Sequence, residues 1–189
     1  MTEHNGRVVI LGQGYVGLPV AMRAVEVGFE VVGFDVAKDR VDRLRRGETF
    51  IDDITDAEVA AALATGRYTP SCDPADLAGF DVAVISVPTP LQDGAPDLSY
   101  IERASDTLAP HVRKGCCVIL ESTTYPGTTE EVVVPRLEAG SSLRAGADFH
   151  VGFSPERINP KPAAKTSAGT MAGATARLEL PARPRAARQ

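Results

Sequence analysis

The 189-residue sequence predicts a doubly wound α/β fold with a mostly parallel sheet of six strands. Three observations carry that prediction. The apolar run Val8-Val9-Ile10-Leu11 breaks into glycines at the GxGxxG spacing of Gly12, Gly14 and Gly17. Short apolar runs without polar alternation recur along the chain, as in strands covered on both faces. Segments with apolar residues at helical spacing lie between them. The order is therefore β-α-β-α-β-(α)-β-α-β-α-β, which right-handed crossovers turn into a parallel sheet.

The first strand covers residues 7–11. Residues 15–27 form a helix with Val16, Leu18, Val20, Ala21, Ala24, Val25 and Val27 along one face. Pro19 falls in its first turns, where a missing N–H costs least, and Gly28 ends it. Residues 31–34 are the second strand, closed by Asp35. A charged helix over 36–46 turns Val41 and Leu44 inward. Thr55 and Glu58 have the spacing of a capping box opening a helix over 57–64. A third strand covers 67–72, a helical turn 76–79 and a fourth strand 81–87. Pro88-Thr89-Pro90 stops that strand, and a loop runs to Asp97. A helix over 99–108 has a second candidate capping box in Ser99 and Glu102. The fifth strand covers 116–120 and a polar loop 122–127. The helix over 128–138 is weakened or kinked at Pro135. A short sixth strand covers 149–153.

Residues 1–159 read as one domain. Residues 160–189 read as a low-complexity, basic and disordered tail, whose Lys161, Lys165, Arg177, Arg183, Arg185 and Arg188 face only Glu179. Spaced arginines without aromatic anchors give such a tail little specificity. The net charge of −5 argues against non-specific nucleic-acid binding. The polar N-terminus and the lack of an apolar run of about 20 residues set the expectation of a soluble, cytoplasmic protein without membrane contact. Three cysteines, two of them adjacent, make neither a disulfide framework nor a metal-ligand spacing.

The glycine motif has the context its chemistry needs: a strand before it, a helix after it and an acid at the end of the next strand. That is the Rossmann-like arrangement for a dinucleotide. Gly12 permits the tight turn, Gly14 lets the backbone approach a diphosphate, and Gly17 lets the helix pack closely. Asp35 is placed to accept hydrogen bonds from ribose hydroxyls and to repel a 2′-phosphate, which favours NAD over NADP. Lys38 and Arg40 either soften that exclusion or form the exposed face of a charged helix.

Four ordered motifs over residues 7–159 resemble the UDP-glucose/GDP-mannose dehydrogenase family. They are Gly12-Gln13-Gly14-Tyr15-Val16-Gly17-Leu18-Pro19; Ser86-Val87-Pro88-Thr89-Pro90-Leu91 with Pro96-Asp97-Leu98-Ser99-Tyr100-Ile101; Glu121-Ser122-Thr123-Thr124-Tyr125-Pro126-Gly127-Thr128-Thr129-Glu130-Glu131; and Phe153-Ser154-Pro155-Glu156-Arg157. The second and third are most similar to the branch acting on UDP-N-acetylhexosamines. The resemblance implies NAD-dependent oxidation of a sugar C6 alcohol to a carboxylate, through an aldehyde-level species and a cysteine thioester. It implies a cofactor site of Gly12, Gly14, Tyr15, Val16, Gly17, Asp35, Arg40, Ser86, Val87, Pro88, Thr89 and Thr123. It gives Thr123 a water or substrate oxygen near C6 to orient, and Glu156 a role as base in thioester hydrolysis. It also implies a UDP-sugar substrate and homodimers among full-length relatives.

The sequence departs from that family in three ways. No stretch matches the Gly-rich motif of the nucleophilic cysteine. The central helical segment and the sugar-binding domain have no counterpart. The resemblance stops after Pro160, and the Ala/Arg/Pro-rich stretch that follows reads as a frameshift or premature truncation. The chain alone is therefore expected to bind NAD without oxidising a UDP-sugar. The competing readings are another NAD-dependent enzyme, such as a short hydroxyacid dehydrogenase, a non-catalytic dinucleotide-binding module, and a nonfunctional remnant.

Overall fold

The computed structural model describes residues 5–92 and 95–155. The predicted tail and Glu156 lie outside them. The elements are β1 (Arg7–Leu11), α1 (Gly17–Glu26), β2 (Glu30–Phe34), α2 (Lys38–Arg45), α3 (Asp56–Ala64), β3 (Tyr68–Ser71), β4 (Val82–Ile85), the hairpin strands β5 (Leu91–Gln92) and β6 (Ala95–Pro96), α4 (Ser99–Leu108), β7 (Cys117–Leu120), α5 (Val134–Ser141) and β8 (His150–Phe153).

Six strands form one parallel sheet in the order β3-β2-β1-β4-β7-β8. The chain builds outward from β1 to β3, then returns to the other side of β1 with β4. The strand order reverses between β1 and β4, which opens a crevice at their carboxyl ends. The pleat divides the core between two faces. Val8 and Ile10 of β1 pack with Val31, Leu18, Ala21, Val25, Leu44 and Val59. Val9 and Leu11 point the other way, to Ile85, Val118, Ile101, Leu108, Leu137 and Phe149. The absence of polar alternation in β1 follows from this cover on both sides.

Local signals account for several boundaries. Both halves of the Thr55–Glu58 capping box form: Thr55 Oγ1 accepts the Glu58 N–H, and Glu58 Oε2 accepts the Thr55 N–H at 2.7 Å. The expected Ser99–Glu102 box does not form. Leu98 holds the N-cap position of α4, and the Asp97 carboxylate accepts the Ser99 N–H at 2.9 Å. The turn expected over 76–79 falls earlier, as a 3₁₀ turn over Pro74–Leu77. Pro74 presets its first residue, and Asp73 Oδ1 accepts the Ala75 N–H. The loop expected up to Asp97 contains the antiparallel β5–β6 hairpin. The helix expected over 128–138 is a π-helical turn, Thr129–Val133, running into α5. Pro135 sits at the start of α5, where its missing N–H breaks the α-helical ladder.

Candidate functional site

A cleft of about 710 Å³ runs along the carboxyl ends of β1, β2, β4 and β7, with α4 as its far wall. It is lined by Gly12, Gly14, Tyr15 and Val16 after β1, by Asp35, Val36 and Arg40 after β2, by Ser86 to Thr89 after β4 and by Thr123 after β7. Of the predicted residues, Gly17 lies beneath the cleft and Glu156 is outside the described residues.

The three glycines do different work. Gly12 has φ +96°, and a Cβ there would lie 2.8 Å from the Ser86 carbonyl oxygen. A Cβ on Gly17 would lie 1.8 Å from the Gly12 carbonyl oxygen and 2.5 Å from Ser86 Oγ. Both glycines are therefore demanded by the protein's own packing. A Cβ on Gly14 would meet nothing within 4 Å. Gly14 faces open space, so the protein's own packing does not demand a glycine there. No side chain caps α1, and its first turn holds no acidic residue. The helix N-terminus thus keeps its partial positive charge for an anion in the cleft.

Asp35 follows β2 directly and is 5% exposed. Its Oδ2 accepts the Gln13 N–H and its Oδ1 the Ala37 N–H, each at 2.9 Å. Each oxygen retains a lone pair for a further donor. Arg40 comes within 3.6 Å of Oδ2 and stacks on the Phe50 ring at 5.3 Å. Lys38 instead pairs with Asp42 on the outside of α2. Of the two basic residues whose role the sequence left open, only Arg40 reaches the cleft.

The opposite end is laced together by hydroxyls. Ser86 Oγ donates to the carbonyls of Leu11 and Gly12, both at 3.1 Å, and so holds the glycine turn from below. Thr89 Oγ1 donates to the Thr123 carbonyl at 2.6 Å, and Ser122 Oγ donates to the Val87 carbonyl at 2.8 Å. These bonds join the loops after β4 and β7 into one rim. Val87 packs against the core, while Pro88 and the Thr123 side chain are exposed.

Tyr100, Arg103 and Thr107 of α4 also line the cleft and escaped the sequence reading as site residues. Their spacing of three and four residues, on the polar face of an amphipathic helix, was the available signal. None of the three cysteines lines the cleft. Cys116 is buried, Cys72 and Cys117 are half-buried, and desolvation pushes the thiols of Cys116 and Cys117 up, which keeps them protonated. Among the described residues no helix is long and apolar enough to cross a membrane.

The fold, the reversal of strand order and the glycine turn with its terminal acid define a dinucleotide-binding α/β domain. Residues 6–169 match the model of the UDP-glucose/GDP-mannose dehydrogenase family, NAD binding domain. The chain belongs to this family, and its cofactor is NAD. The matched range extends past Pro160, where the sequence reading ends the resemblance.

A UDP-N-acetyl-D-glucosamine 6-dehydrogenase of Pseudomonas aeruginosa is 42% identical over 157 residues, covering 82% of this chain and 36% of the relative. The solved UDP-D-ManNAc dehydrogenase from Pyrococcus horikoshii superposes with a TM-score of 0.77 at 39% identity, covering 82% of this chain and 37% of that one. A ternary complex of GDP-mannose dehydrogenase from Pseudomonas aeruginosa gives a TM-score of 0.77 at 33% identity, with 82% and 37% covered. The chain thus spans little more than a third of the length of these relatives.

Proposed function

We propose that this chain is the cofactor-holding part of a nucleotide-sugar 6-dehydrogenase that oxidises the C6 alcohol of a UDP-N-acetylhexosamine to the carboxylate. The single observation that carries the cofactor site is the contrast among the glycines. Gly12 and Gly17 are sealed against the protein, while Gly14 is open to the cleft beside an uncapped helix. The Gly12–Gly17 turn would take the diphosphate, with Tyr15 and Val16 flanking it. Asp35 would take the adenosine ribose hydroxyls, with Arg40 at its side. Ser86, Val87, Pro88, Thr89 and Thr123 would border the nicotinamide end. Bound NAD supplies a hydride acceptor.

This chain's own residues orient and exclude. The Asp35 carboxylate selects against a 2′-phosphate. The Thr89–Thr123 hydrogen bond fixes the rim at the Thr123 carbonyl, and the Thr123 hydroxyl would hold a water or substrate oxygen. Glu156 stands in the proposal as the base for thioester hydrolysis. A thiol nucleophile at this cleft has to come from beyond these 189 residues, since all three cysteines of the sequence lie elsewhere. Homodimers belong to this proposal only for full-length relatives, and the location proposed is the cytoplasm. The choice of a UDP-N-acetylhexosamine rests on the names of the similar relatives.

A chimera tests the proposal: residues 1–155 replace the matching segment of the Pseudomonas aeruginosa UDP-N-acetyl-D-glucosamine 6-dehydrogenase. The chimera is expected to form NADH from UDP-N-acetylglucosamine, and Thr123→Ala within it to slow turnover at saturating NAD. A folded, NAD-binding chimera that forms no NADH contradicts the proposal.

A further inference from the structure

Gln13 occupies the second position of the glycine turn yet is fully buried, whereas Tyr15 two residues on is 46% exposed. The Gln13 main-chain N–H and both ends of its side-chain amide are engaged. Its main-chain N–H donates to Asp35 Oδ2 at 2.9 Å. Its Nε2 donates to the carbonyls of Ile10 and Gly12 at 3.1 and 3.2 Å. Its Oε1 accepts the Tyr68 hydroxyl at 2.7 Å. Tyr68 lies on β3, at the edge of the sheet, and is 4% exposed. The two side chains meet over Gly33 of the intervening strand. A Cβ there would lie 2.4 Å from Gln13 Oε1 and 2.8 Å from Tyr68 Cε2. Gly33 has no left-handed backbone to account for it, so the space it leaves is occupied by this pair.

A buried amide is costly unless all its groups are matched, and a matched one has a single orientation. Tyr68 fixes Oε1, two carbonyls fix Nε2, and the peptide of residue 13 is held between them. The direction of the Gln13 N–H follows, and with it the orientation of the Asp35 oxygen that accepts it. Burial, reinforced by the Asp35 charge, pushes the Tyr68 phenol up, so it remains a donor across the neutral range.

We propose that Gln13 and Tyr68 are a positioning pair for cofactor selection: their buried hydrogen bond holds the glycine-turn peptide that orients Asp35, and so sets the preference for NAD over its 2′-phosphorylated form. This rests on the reading of Asp35 as the ribose-facing acid. Neither side chain touches the cofactor in that reading; both act through Asp35.

The test uses the 189-residue chain, with dissociation constants for NAD and NADP from calorimetry and melting temperatures alongside. Wild type binds NAD more tightly than NADP. Tyr68→Phe removes one oxygen, and we expect it to weaken NAD about three- to tenfold while leaving NADP nearly unchanged, so the preference falls by the same factor. Gln13→Met lowers the preference too, and adding Tyr68→Phe to it lowers the preference no further. A readout without a variant accompanies this: hydrogen exchange at the Gln13 main-chain N–H slows more with NAD than with NADP. Equal weakening of both cofactors, or a lower melting temperature with the preference intact, overturns the inference and leaves the pair as a brace. A folded wild-type chain with no preference overturns the Asp35 reading itself.

Discussion

Replacing Gly14 by alanine separates what the fold needs from what the cofactor needs. A Cβ at this position meets no protein atom within 4 Å, and the backbone is not left-handed. The folded chain therefore loses nothing, and the stiffer unfolded chain makes the variant as stable as wild type or more so by about 0.4–1 kcal/mol. The added methyl enters the space open to the diphosphate. Losing one or two hydrogen bonds to a charged phosphate, each about 1.5–3 kcal/mol, weakens NAD by about 10- to 100-fold or more. Gly17→Ala gives the opposite pattern. Its Cβ would start 1.8 Å from the Gly12 carbonyl oxygen and 2.5 Å from Ser86 Oγ, and must retreat beyond 3.0 Å from both. That costs about 1–3 kcal/mol of stability before any ligand is added. Thermal melting and calorimetric titration on the same samples read both quantities. Gly14→Ala with wild-type NAD affinity, or with the lower melting temperature of the two, refutes the reasoning.

Further outcomes follow from the same geometry. Asp35→Ala should raise the NAD dissociation constant about tenfold or more and leave NADP far less affected, measured by competition titration. Tyr68 has its folded pKa raised above the unfolded value of about 10. Its contribution to stability is therefore complete below about pH 10 and is lost as pH rises further, because only the unfolded chain then releases the proton. The stability difference between wild type and Tyr68→Phe, from denaturant melts, should shrink above about pH 10 and stay flat from pH 6 to about 9. Thr55→Ala removes the cap of α3 and should cost about 1 kcal/mol with no change in NAD affinity. The 189-residue chain alone, with NAD and either UDP-N-acetylglucosamine or UDP-glucose, should produce no NADH in a steady-state assay, since it spans little more than a third of its relatives' length and no thiol reaches its cleft to carry an aldehyde on to the thioester.

The parts of this molecule that were legible in sequence are those whose cause is local. The apolar β1 run, the GxGxxG turn, the acid after β2 and the Thr55–Glu58 box each state their conformation within a few residues, and the parallel sheet follows from the alternation of strands and helices with right-handed crossovers. The β5–β6 hairpin escaped because strands of two residues carry no period to detect. Ser99 and Glu102 had the spacing of a box, but Asp97 reached the helix N-terminus first and took the Ser99 N–H. Pro135 announced an interruption without saying that a π turn would absorb it. Gln13 and Tyr68 were invisible for a different reason. They are 55 residues apart, and only the adjacency of β1, β2 and β3 brings them together.

Titrating the folded 189-residue chain with NAD and NADP in a calorimeter tests most directly whether this cleft is a NAD site. The account predicts saturable binding of one NAD per chain, tighter than NADP, with the preference lost in Asp35→Ala. Absence of saturable NAD binding by a chain that melts cooperatively, or tighter binding of NADP, contradicts it.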